Sequence, residues 1–437
     1  MNDLASLYPE HIATVRARFD AALAAAGYDR VVIAAGSLRY RFLDDRPYPF
    51  AANPHFKAWL PLTDHPDCFI VYEPGRTPLL YYHQPVDYWH KTPEPPAGCW
   101  VAHFDVRPIA SRAAAVAQLP AHAVFLGEDV EALEDWQPAA VNPPALLHHL
   151  HYHRAWKTEY EVESIAAANR RAARGHQAAE RAFRAGASEY AIHLEYCRAC
   201  AHTEAELPYG NIVALNAHSA ILHYQMRARI SPITRLSCLI DAGAEVGGYA
   251  ADITRTYAAA PGEFQDLIEA LDQAQQALCA AVRPGVDFRD LQLAAHRHIA
   301  AILHDAGIVR LDPEAIVATG ISRAFFPHGL GHFLGLQVHD VGGLLANPQG
   351  DIIPRPEDQP FLRLTRVLEP DMVLTIEPGL YIIPQLLAPL RQCGLNSHID
   401  WAAVQRLAAY GGVRIEDDVV VTVDGHRNLT RPALAAA

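Results

Sequence analysis

The chain of 437 residues is long for a single hydrophobic core, so its length predicts two domains. Hydrophobic residues make up 51% and charged residues 19%, which is typical of a globular protein with a large core. The 36 basic and 49 acidic side chains give a formal net charge of −13. This balance argues against nucleic acid and anionic membrane surfaces as partners. A solvated acidic surface accounts for most of this negative charge, and some of the carboxylates remain available to bind a cation.

Cysteine usage and the N-terminal segment bear on the cellular compartment. Seven scattered cysteines, an odd number, do not form a disulfide framework. Cys197 and Cys200 form a C-x-x-C pair in a predicted helix, where helix packing is favoured over a metal or redox site. The first residues carry charges at Glu10 and Arg16 and lack the apolar core of a signal peptide. No apolar run reaches the roughly 18 residues that span a bilayer, so we expect a cytoplasmic protein.

The first 150 residues alternate helix-like and strand-like patterns, which predicts an α/β domain. The predicted elements are a helix over 7–26, buried strands over 31–34 and 123–126, and a hairpin of strands over 69–72 and 79–82. The aromatic segments 55–59 and 88–90 fit either the core or a contact with a partner subunit.

A cluster of histidines marks a break in this pattern. A metal-binding tract is one interpretation, but the histidines alternate with apolar residues near a domain boundary, which favours a solvated linker or a packed strand. The histidines are His148, His149, His151 and His153.

A helix start follows the histidine cluster. Thr158 and Glu161 have the spacing of a capping box, which predicts an alanine-rich helix from there to Arg184. Ser188 is a plausible N-cap of a second helix. The second domain is therefore predicted to begin near residue 155.

The second domain combines strand and helix patterns. An irregular proline-rich insertion covers 347–360. The predicted strands cover 212–215, 220–224, 236–241, 249–257, 372–377 and 413–423, and the predicted helices cover 263–281 and 288–306.

The segment 327–340 holds three histidines within twelve residues: His328, His332 and His339. Histidine is the commonest protein metal ligand, and glycines between them let the backbone approach an ion or a substrate closely. The glycine spacing G-x-G-x-x-x-G is one residue off the dinucleotide fingerprint, and no strand and acidic residue frame it. A nucleotide-phosphate role is therefore not supported.

Asp241 and Asp252 lie on two consecutive predicted strands. If the turn between them centres on Val246-Gly247, the two aspartates face each other across an antiparallel pair, at about 4.5–5.5 Å. Two carboxylates at that distance repel unless one is protonated or a cation bridges them. A turn or capping role is the alternative for either aspartate.

Two glutamates lie in comparable positions. Glu377 ends a buried strand, and a buried carboxylate needs a partner. Arg414 and Glu416 alternate with apolar residues, so both side chains are predicted on one face of a strand; a surface ion pair is the alternative. Asp417 and Asp418 are predicted to be solvated.

These residues together make an oxygen-rich ligand set: Asp241, Asp252, His332, Glu377 and Glu416. Without thiolates, the set suits two divalent ions such as Mn²⁺, Co²⁺ or Zn²⁺. Two ions about 3.5–4 Å apart can share a water, lower its pKa and polarise the bond to be hydrolysed. The sequence has neither H-E-x-x-H nor G-x-S-x-G, so single-zinc protease and serine-hydrolase functions have little support.

The order and local contexts of these five residues resemble the dinuclear pita-bread metallopeptidases, across residues 156–437. With the N-terminal region, the chain most resembles the bacterial prolidases (Xaa-Pro dipeptidases), and some of their close relatives also hydrolyse organophosphate triesters. The resemblance implies an α/β (α+β) fold. A creatinase-like N-terminal α/β domain (1–154), for dimerisation and pocket covering, precedes a pita-bread catalytic domain (155–437). It also implies a homodimer.

The resemblance implies a role for each ligand. Asp241 would chelate one ion, Asp252 and Glu416 would bridge both, and His332 and Glu377 would bind the other. Glu377 would also be the general base that takes a proton from the bridging water. Two divalent ions, most often Mn²⁺, are the implied cofactors.

The resemblance also implies substrate contacts. His328 and His339 resemble residues that bind the scissile carbonyl and stabilise the tetrahedral intermediate, although packed core histidines are the alternative. His223 and Arg363 resemble the residues that hold the dipeptide's terminal carboxylate. Arg414 resembles a residue that orients the metal ligands.

Two further positions complete the implied pocket. Tyr209 resembles a pocket wall, and Trp89 is a candidate to reach a neighbouring subunit's pocket. A peptide bond to proline has no N–H, and an arginine clamp on the terminal carboxylate would favour dipeptides. A Xaa-Pro aminopeptidase acting on longer peptides, and a metal-free creatinase-like hydrolase or binding relative, remain as alternatives.

Overall fold

The computed structural model describes residues 4–128, 133 and 136–437. The chain forms two compact units. Unit 1 comprises Met1–Ser164 with the short segments Val246–Tyr249 and Leu345–Ile352, and unit 2 comprises the remainder. Both mix helices and strands, which confirms the predicted α/β class, while the boundary after residue 154 stays a prediction.

Unit 1 is built on a mixed sheet. Among its described residues the strand order is β4-β3-β2-β1-β5-β6. Antiparallel pairs join β1 to β2 and β2 to β3, and the other neighbours are parallel. Its helices are α1 (Leu4–Ala26), α2 (Pro54–Lys57), α3 (Arg112–Val116) and α4 (Pro144–His153). Its strands are β1 (Val31–Ala34), β2 (Phe69–Tyr72), β3 (Leu79–His83), β4 (Asp105–Ile109), β5 (Val124–Leu126) and β6 (Ala140–Val141).

The core of unit 1 is apolar and aromatic, with Val32, Phe69, Phe125 and Trp136 in one buried cluster. The predicted helix, hairpin and buried strands of this region are confirmed. Segment 55–59 is mostly buried, as a core segment should be, whereas residues 88–90 are exposed.

The histidine-rich segment is a helix, so its prediction as a linker or strand is wrong. Pro144 occupies the first turn of α4, where a missing N–H costs nothing. Leu146 and Leu150, four residues apart, are its buried positions. The ring of His151 stacks on that of His55, with centroids 5.2 Å apart.

A long helix, α5 (Glu159–Arg184), follows. The predicted capping box is present, because the Thr158 N–H donates to Glu161 Oε2 at 2.8 Å and the Glu161 N–H donates to Thr158 Oγ1 at 3.4 Å. Ser188 caps α6 (Glu189–Cys200) by accepting from the Ala191 N–H, as predicted. The remaining helices are α7 (Glu263–Ala281), α8 (Phe288–Asp305), α9 (Pro313–Ala318), α10 (Ile321–Phe325), α11 (Pro384–Arg391), α12 (Trp401–Leu407) and α13 (Thr430–Ala436). Over the described residues, no helix is sufficiently long and apolar to span a membrane.

Small antiparallel sheets carry unit 2. Its strand orders are β11-β8-β7, β12-β15-β16 and β13-β14. A short hairpin pairs β9 with β10, and its residues Val246–Tyr249 are counted with unit 1. The strands are β7 (Ile212–Leu215), β8 (Ser237–Asp241), β9 (Glu245–Val246), β10 (Tyr249–Ala250), β11 (Thr254–Ala258), β12 (Val373–Ile376), β13 (Gly379–Tyr381), β14 (Gly412–Arg414), β15 (Asp417–Thr422) and β16 (Gly425–Asn428).

Three strand predictions in this half are wrong in detail. Residues 221–224 form a loop after a short 3-10 helix, Asn216–Ala220. The strands predicted over 249–257 and 413–423 are each interrupted. These interruptions contain the candidate metal ligands Asp252 and Glu416.

Asp417 is buried, contrary to its predicted solvation. It is 0% exposed and accepts from Arg255 at 2.6 Å, Arg431 at 2.6 Å and Asn428 at 2.8 Å. Burial alone would raise the pKa of Asp417, but the two arginines hold it below its ordinary value. Asp418 is buried as well.

We predict that Asp417→Ala lowers the free energy of unfolding by about 3–5 kcal/mol, because it removes a fully buried carboxylate from two partly buried guanidinium groups. Urea unfolding of the purified protein measures the change. Asp305→Ala, at the exposed end of α8, is the matched control and should stay within about 0.5 kcal/mol of the parent. Equal effects of the two substitutions would contradict the structural role of Asp417.

Candidate metal centre

The turn between β8 and β11 differs from its prediction by one residue. Asp241 pairs with Thr254, not with Asp252. The reason is that the two-residue turn consists of Gly247 and Gly248, both with positive φ, instead of centring on Val246-Gly247. This moves the facing partner of Asp241 by two residues, so Asp252 lies just before β11.

Asp252 nevertheless lies beside two other predicted ligands. Asp252, His332 and Glu416 are buried, and each offers a ligand atom within 4.8 Å of the others. His332 Nε2 is 3.5 Å from Asp252 Oδ2 and 3.5 Å from Glu377 Oε1. The charge of Asp241 raises the pKa values of Glu377 and Glu416. The structure therefore brings together the five residues predicted as ligands.

Local backbone contacts orient His332. Its N–H donates to Thr375 Oγ1 at 3.2 Å, and the Thr375 N–H donates to its carbonyl at 2.9 Å. A Cβ on Gly331 would lie 2.0 Å from the Thr375 carbonyl oxygen, so this approach requires glycine. His332 Nδ1 donates to the Phe333 carbonyl at 2.9 Å. In the neutral imidazole, Nε2 is then the nitrogen without a proton, and it faces the carboxylates as in metal-binding histidines.

Thr254 and Arg414 organise the acidic side. Thr254 Oγ1 donates to Glu416 Oε2 at 2.7 Å and accepts from Arg414 Nε at 3.3 Å. Arg414 also donates to Asp241 Oδ2 at 2.7 Å. Arg414 and Glu416 are buried on one side of their segment, so the surface ion pair is excluded.

The electrostatics fit a site for divalent cations. Burial and the charges of Asp252, Glu377 and Asp241 raise the pKa of Glu416 well above its ordinary value. Burial is also the main reason that the pKa of Glu377 rises to about 7. Asp241 Oδ1 is buried and has no hydrogen-bond partner among the described residues. Such crowded carboxylates require neutralisation.

His332 responds to the same excess of negative charge. Burial would lower its pKa, but the hydrogen bond to Asp252 and the charge of Glu377 raise it to about 9. A proton on this imidazole substitutes in part for a cation. The oxygen-rich donor set with one imidazole suits divalent metal binding.

Tyr381 is a residue of this site that sequence reasoning missed. Its hydroxyl accepts from Arg414 Nη1 at 2.9 Å and lies 2.9 Å from His328 Nε2. His328 Nδ1 lies 2.9 Å from the Gly329 carbonyl and must donate to it, so Nε2 accepts from Tyr381. Burial lowers the pKa of His328 to about 3. No local pattern indicated Tyr381, because its partners His328 and Arg414 are distant along the chain.

Asp418 and Thr254 were also missed as contacts of the ligands. Asp418 Oδ2 accepts from the Asp252 N–H at 3.1 Å and from Asn169 at 2.7 Å. Thr254 and Asp418 lie two residues from Asp252 and Glu416. Period-two spacing from a ligand was therefore the available signal.

Two predicted substrate residues of unit 2, Tyr209 and His339, contact these ligands. Tyr209 donates its hydroxyl to Asp252 Oδ1. The ring of His339 contacts that of His332 edge-on, with centroids 4.4 Å apart. Burial is the main reason that the pKa of His339 falls to about 4, and the nearby charges of Arg363 and His223 lower it further. Both of those side chains are exposed.

Trp89 belongs to unit 1, where it is 76% exposed. Its ring packs against that of Tyr88, with centroids 4.8 Å apart. Its predicted reach into a neighbouring subunit stays a prediction.

Two family models match the chain. The model of the Xaa-Pro dipeptidase N-terminal domain matches residues 6–152. The model of metallopeptidase family M24 matches residues 163–423, which include the whole carboxylate cluster.

Curated relatives match over the full length. A Xaa-Pro dipeptidase of Xanthomonas campestris (strain B100) is 52% identical over 99% of each chain. A Xaa-Pro dipeptidase of Stenotrophomonas maltophilia (strain K279a) is 50% identical over 100% of this chain and 99% of its own.

Solved structures of aminopeptidases share the fold. Aminopeptidase PepP of Pseudomonas aeruginosa matches with a TM-score of 0.74, at 25% identity over 97% of this chain and 98% of its own. Zinc-substituted aminopeptidase P of Escherichia coli matches with a TM-score of 0.72, at 24% identity over the same shares, and shows likeness of fold alone. Taken with the two family models, these similarities establish that the chain belongs to metallopeptidase family M24, with a Xaa-Pro dipeptidase N-terminal domain before a pita-bread metallopeptidase domain.

Proposed function

We propose that this protein is a metal-dependent dipeptidase that hydrolyses Xaa-Pro dipeptides. The observation that carries the proposal is a buried cluster of carboxylates around His332, in a chain about half identical to Xaa-Pro dipeptidases along its whole length. Peptide hydrolysis needs an activated water and a polarised carbonyl, and such a cluster is suited to hold ions that provide both.

Two divalent ions, most readily Mn²⁺ and alternatively Co²⁺ or Zn²⁺, are the proposed cofactors. Asp241, Asp252 and Glu416 would hold them together with His332 and Glu377, and the absence of thiolates in this set favours hard or borderline ions. When bound, divalent ions lower the pKa of a water molecule and polarise the scissile bond. Glu377 would take the proton of the attacking water, since its carboxylate adjoins both His332 and His328.

The proposed substrate contacts surround the ligands. Arg363 and His223 would bind the terminal carboxylate, and their charges act on the same neighbour, His339. Arg363 lies between Leu362 and Leu364, which are buried, so the backbone alternation turns the guanidinium to solvent. His339 and His328 would contact the scissile carbonyl, although His328 would first exchange its bond to Tyr381.

Three supporting residues complete the proposal. Tyr209 would close one wall of the pocket through its bond to Asp252. Arg414 would orient Asp241, to which it donates at 2.7 Å. Trp89, on an exposed aromatic segment, would contact a second subunit of a homodimer. The cytoplasmic location and a side activity on organophosphate triesters stay predictions.

An aminopeptidase acting on longer peptides is the second candidate, because solved aminopeptidases share the fold of this chain. The full-length relatives at about 50% identity favour the dipeptidase. A metal-free relative is disfavoured, since all five predicted ligand residues are present, and four of them, Asp252, His332, Glu377 and Glu416, lie close together.

A paired assay tests the function. We expect a Xaa-Pro dipeptide to be cleaved, and its cleavage to be lost on chelation and restored by Mn²⁺. The corresponding tripeptide should be roughly tenfold or more slower, because hydrogen bonds to a charged carboxylate contribute about 1.5–3 kcal/mol. Efficient tripeptide cleavage would favour the aminopeptidase, and activity indifferent to chelation would remove the metal mechanism.

We predict that Glu377→Gln lowers kcat by roughly 100- to 10,000-fold, because the substitution removes the proposed base together with a ligand charge. Steady-state kinetics at saturating Mn²⁺ measure the change. Glu369→Gln is the matched control and should retain the parental kcat, because Glu369 is exposed and lies four residues before β12. Normal turnover in Glu377→Gln would exclude Glu377 as the base.

Arg363→Ala should raise KM for dipeptides by about ten- to a hundredfold with a smaller change in kcat, because it removes a charged donor to the terminal carboxylate. Arg363→Lys retains the charge without the forked geometry, so an intermediate KM is expected. A Xaa-Pro amide serves as the control substrate and should be insensitive to both changes. An unchanged KM for the dipeptide in Arg363→Ala would rule out the clamp.

A further inference from the structure

We propose that Glu189 is a positioning residue for substrate binding: its buried carboxylate holds the loop that presents His223 to the metal centre. The inference rests on the proposed function, in which His223 binds the substrate carboxylate. Glu189 belongs to α6, and its hydrogen bonds are to Leu215, His218, Tyr224 and Ala228 instead of to metal ligands.

The loop in question, 216–236, joins two paired strands. Leu215 of β7 and Cys238 of β8 face each other, so the chain leaves the sheet and returns to the same place. Loops beyond about 12–15 residues are usually functional. Asn216 closes the base, because its Oδ1 accepts from the Leu236 N–H at 2.8 Å and its Nδ2 donates to the Thr234 carbonyl at 2.7 Å. Asn216 therefore holds the two ends of the loop together.

Glu189 holds the part of the loop between those ends. Its Oε1 accepts from the Leu215 N–H at 2.8 Å and from His218 Nδ1 at 2.7 Å. Its Oε2 accepts from the Tyr224 hydroxyl at 2.7 Å and from the Ala228 N–H at 2.6 Å. One carboxylate thus contacts the chain on both sides of His223: at Leu215 and His218 before it, and at Tyr224 and Ala228 after it.

This anchoring sets the direction of His223. Tyr224 points inwards, where its ring packs with Ile212 and Leu239 and stacks on His218 at 4.5 Å. Its neighbour His223 is exposed. An exposed side chain is what the proposed function requires of a group that binds substrate. Holding Tyr224 inwards therefore fixes the backbone from which His223 extends.

The chemistry calls for a carboxylate at this position. Glu189 is 1% exposed, and each of its oxygens receives two donors. Glutamine would turn an NH₂ group towards two of those donors, leaving buried donors unpaired. Glu189 is also the first residue of α6, where the helix dipole stabilises a negative charge.

The test compares Glu189→Gln with Glu195→Gln, a partly exposed glutamate of the same helix. We expect Glu189→Gln to raise KM for a Xaa-Pro dipeptide by about tenfold, with a smaller change in kcat and unchanged metal content, since a buried charged hydrogen-bond set is disrupted. Glu195→Gln should behave as the parent. Tyr224→Phe, which removes one of the four donors and keeps the ring, should raise KM less and provides a variant if Glu189→Gln folds poorly.

A double-mutant cycle separates positioning from general destabilisation. In a His223→Ala background, Glu189→Gln should raise KM no further, and the Xaa-Pro amide should be insensitive to both substitutions. An additive effect on KM, or an unchanged KM in Glu189→Gln alone, would overturn the proposal.

Limited trypsin digestion distinguishes failure of the proposed role of Glu189 from failure of the proposed function. The loop contains Arg229, an exposed cleavage site. Cleavage there should be faster in Glu189→Gln than in Glu195→Gln whatever the substrate, and equal rates would overturn the anchoring. An unchanged KM in His223→Ala, with faster cleavage in Glu189→Gln, would instead contradict the role of His223 in the proposed function.

Discussion

The interaction on which the site depends is repulsion among buried carboxylates. Asp252, Glu377 and Glu416 lie around one imidazole, where burial and mutual charge make ionisation costly. One guanidinium, that of Arg414, and several hydroxyl donors offset only part of this charge. Protons on His332 and on the carboxylates of raised pKa neutralise part of the rest, and divalent cations would replace them, so the crowding that disfavours the metal-free protein favours metal binding.

The interruptions of the strands serve this arrangement. Residues 251–253 separate β10 from β11, and residues 415 and 416 separate β14 from β15. A bridge between Thr254 and Glu416 then connects the two interrupted segments. Because the ladder is broken at the ligands, their carboxylates turn towards His332 instead of alternating with the regular pleat.

Further side chains hold the candidate ligands and the loop of His223 in place through hydrogen bonds. Threonine and tyrosine hydroxyls bind the ligands directly, Arg414 links Asp241 to Tyr381, and Glu189 anchors the loop of His223. Each of these groups is buried and hydrogen-bonded, which limits the orientations open to the side chain it contacts. The exposed Arg363 has no such support among the bonds described, and its direction follows from the buried leucines on either side.

The sequence by itself determined the fold class and most helices and predicted the five candidate ligands, because hydrophobic periodicity, capping residues and strand-ending acids are local signals. Only the tertiary structure decided the register of Asp241 with Thr254, since a one-residue shift of a glycine turn leaves the local pattern unchanged. It also decided the helical state of the histidine-rich segment and the burial of Asp417. The contributions of Tyr381 and Glu189 required the structure for the same reason: their partners are distant in sequence, and no local pattern records a contact made across the fold.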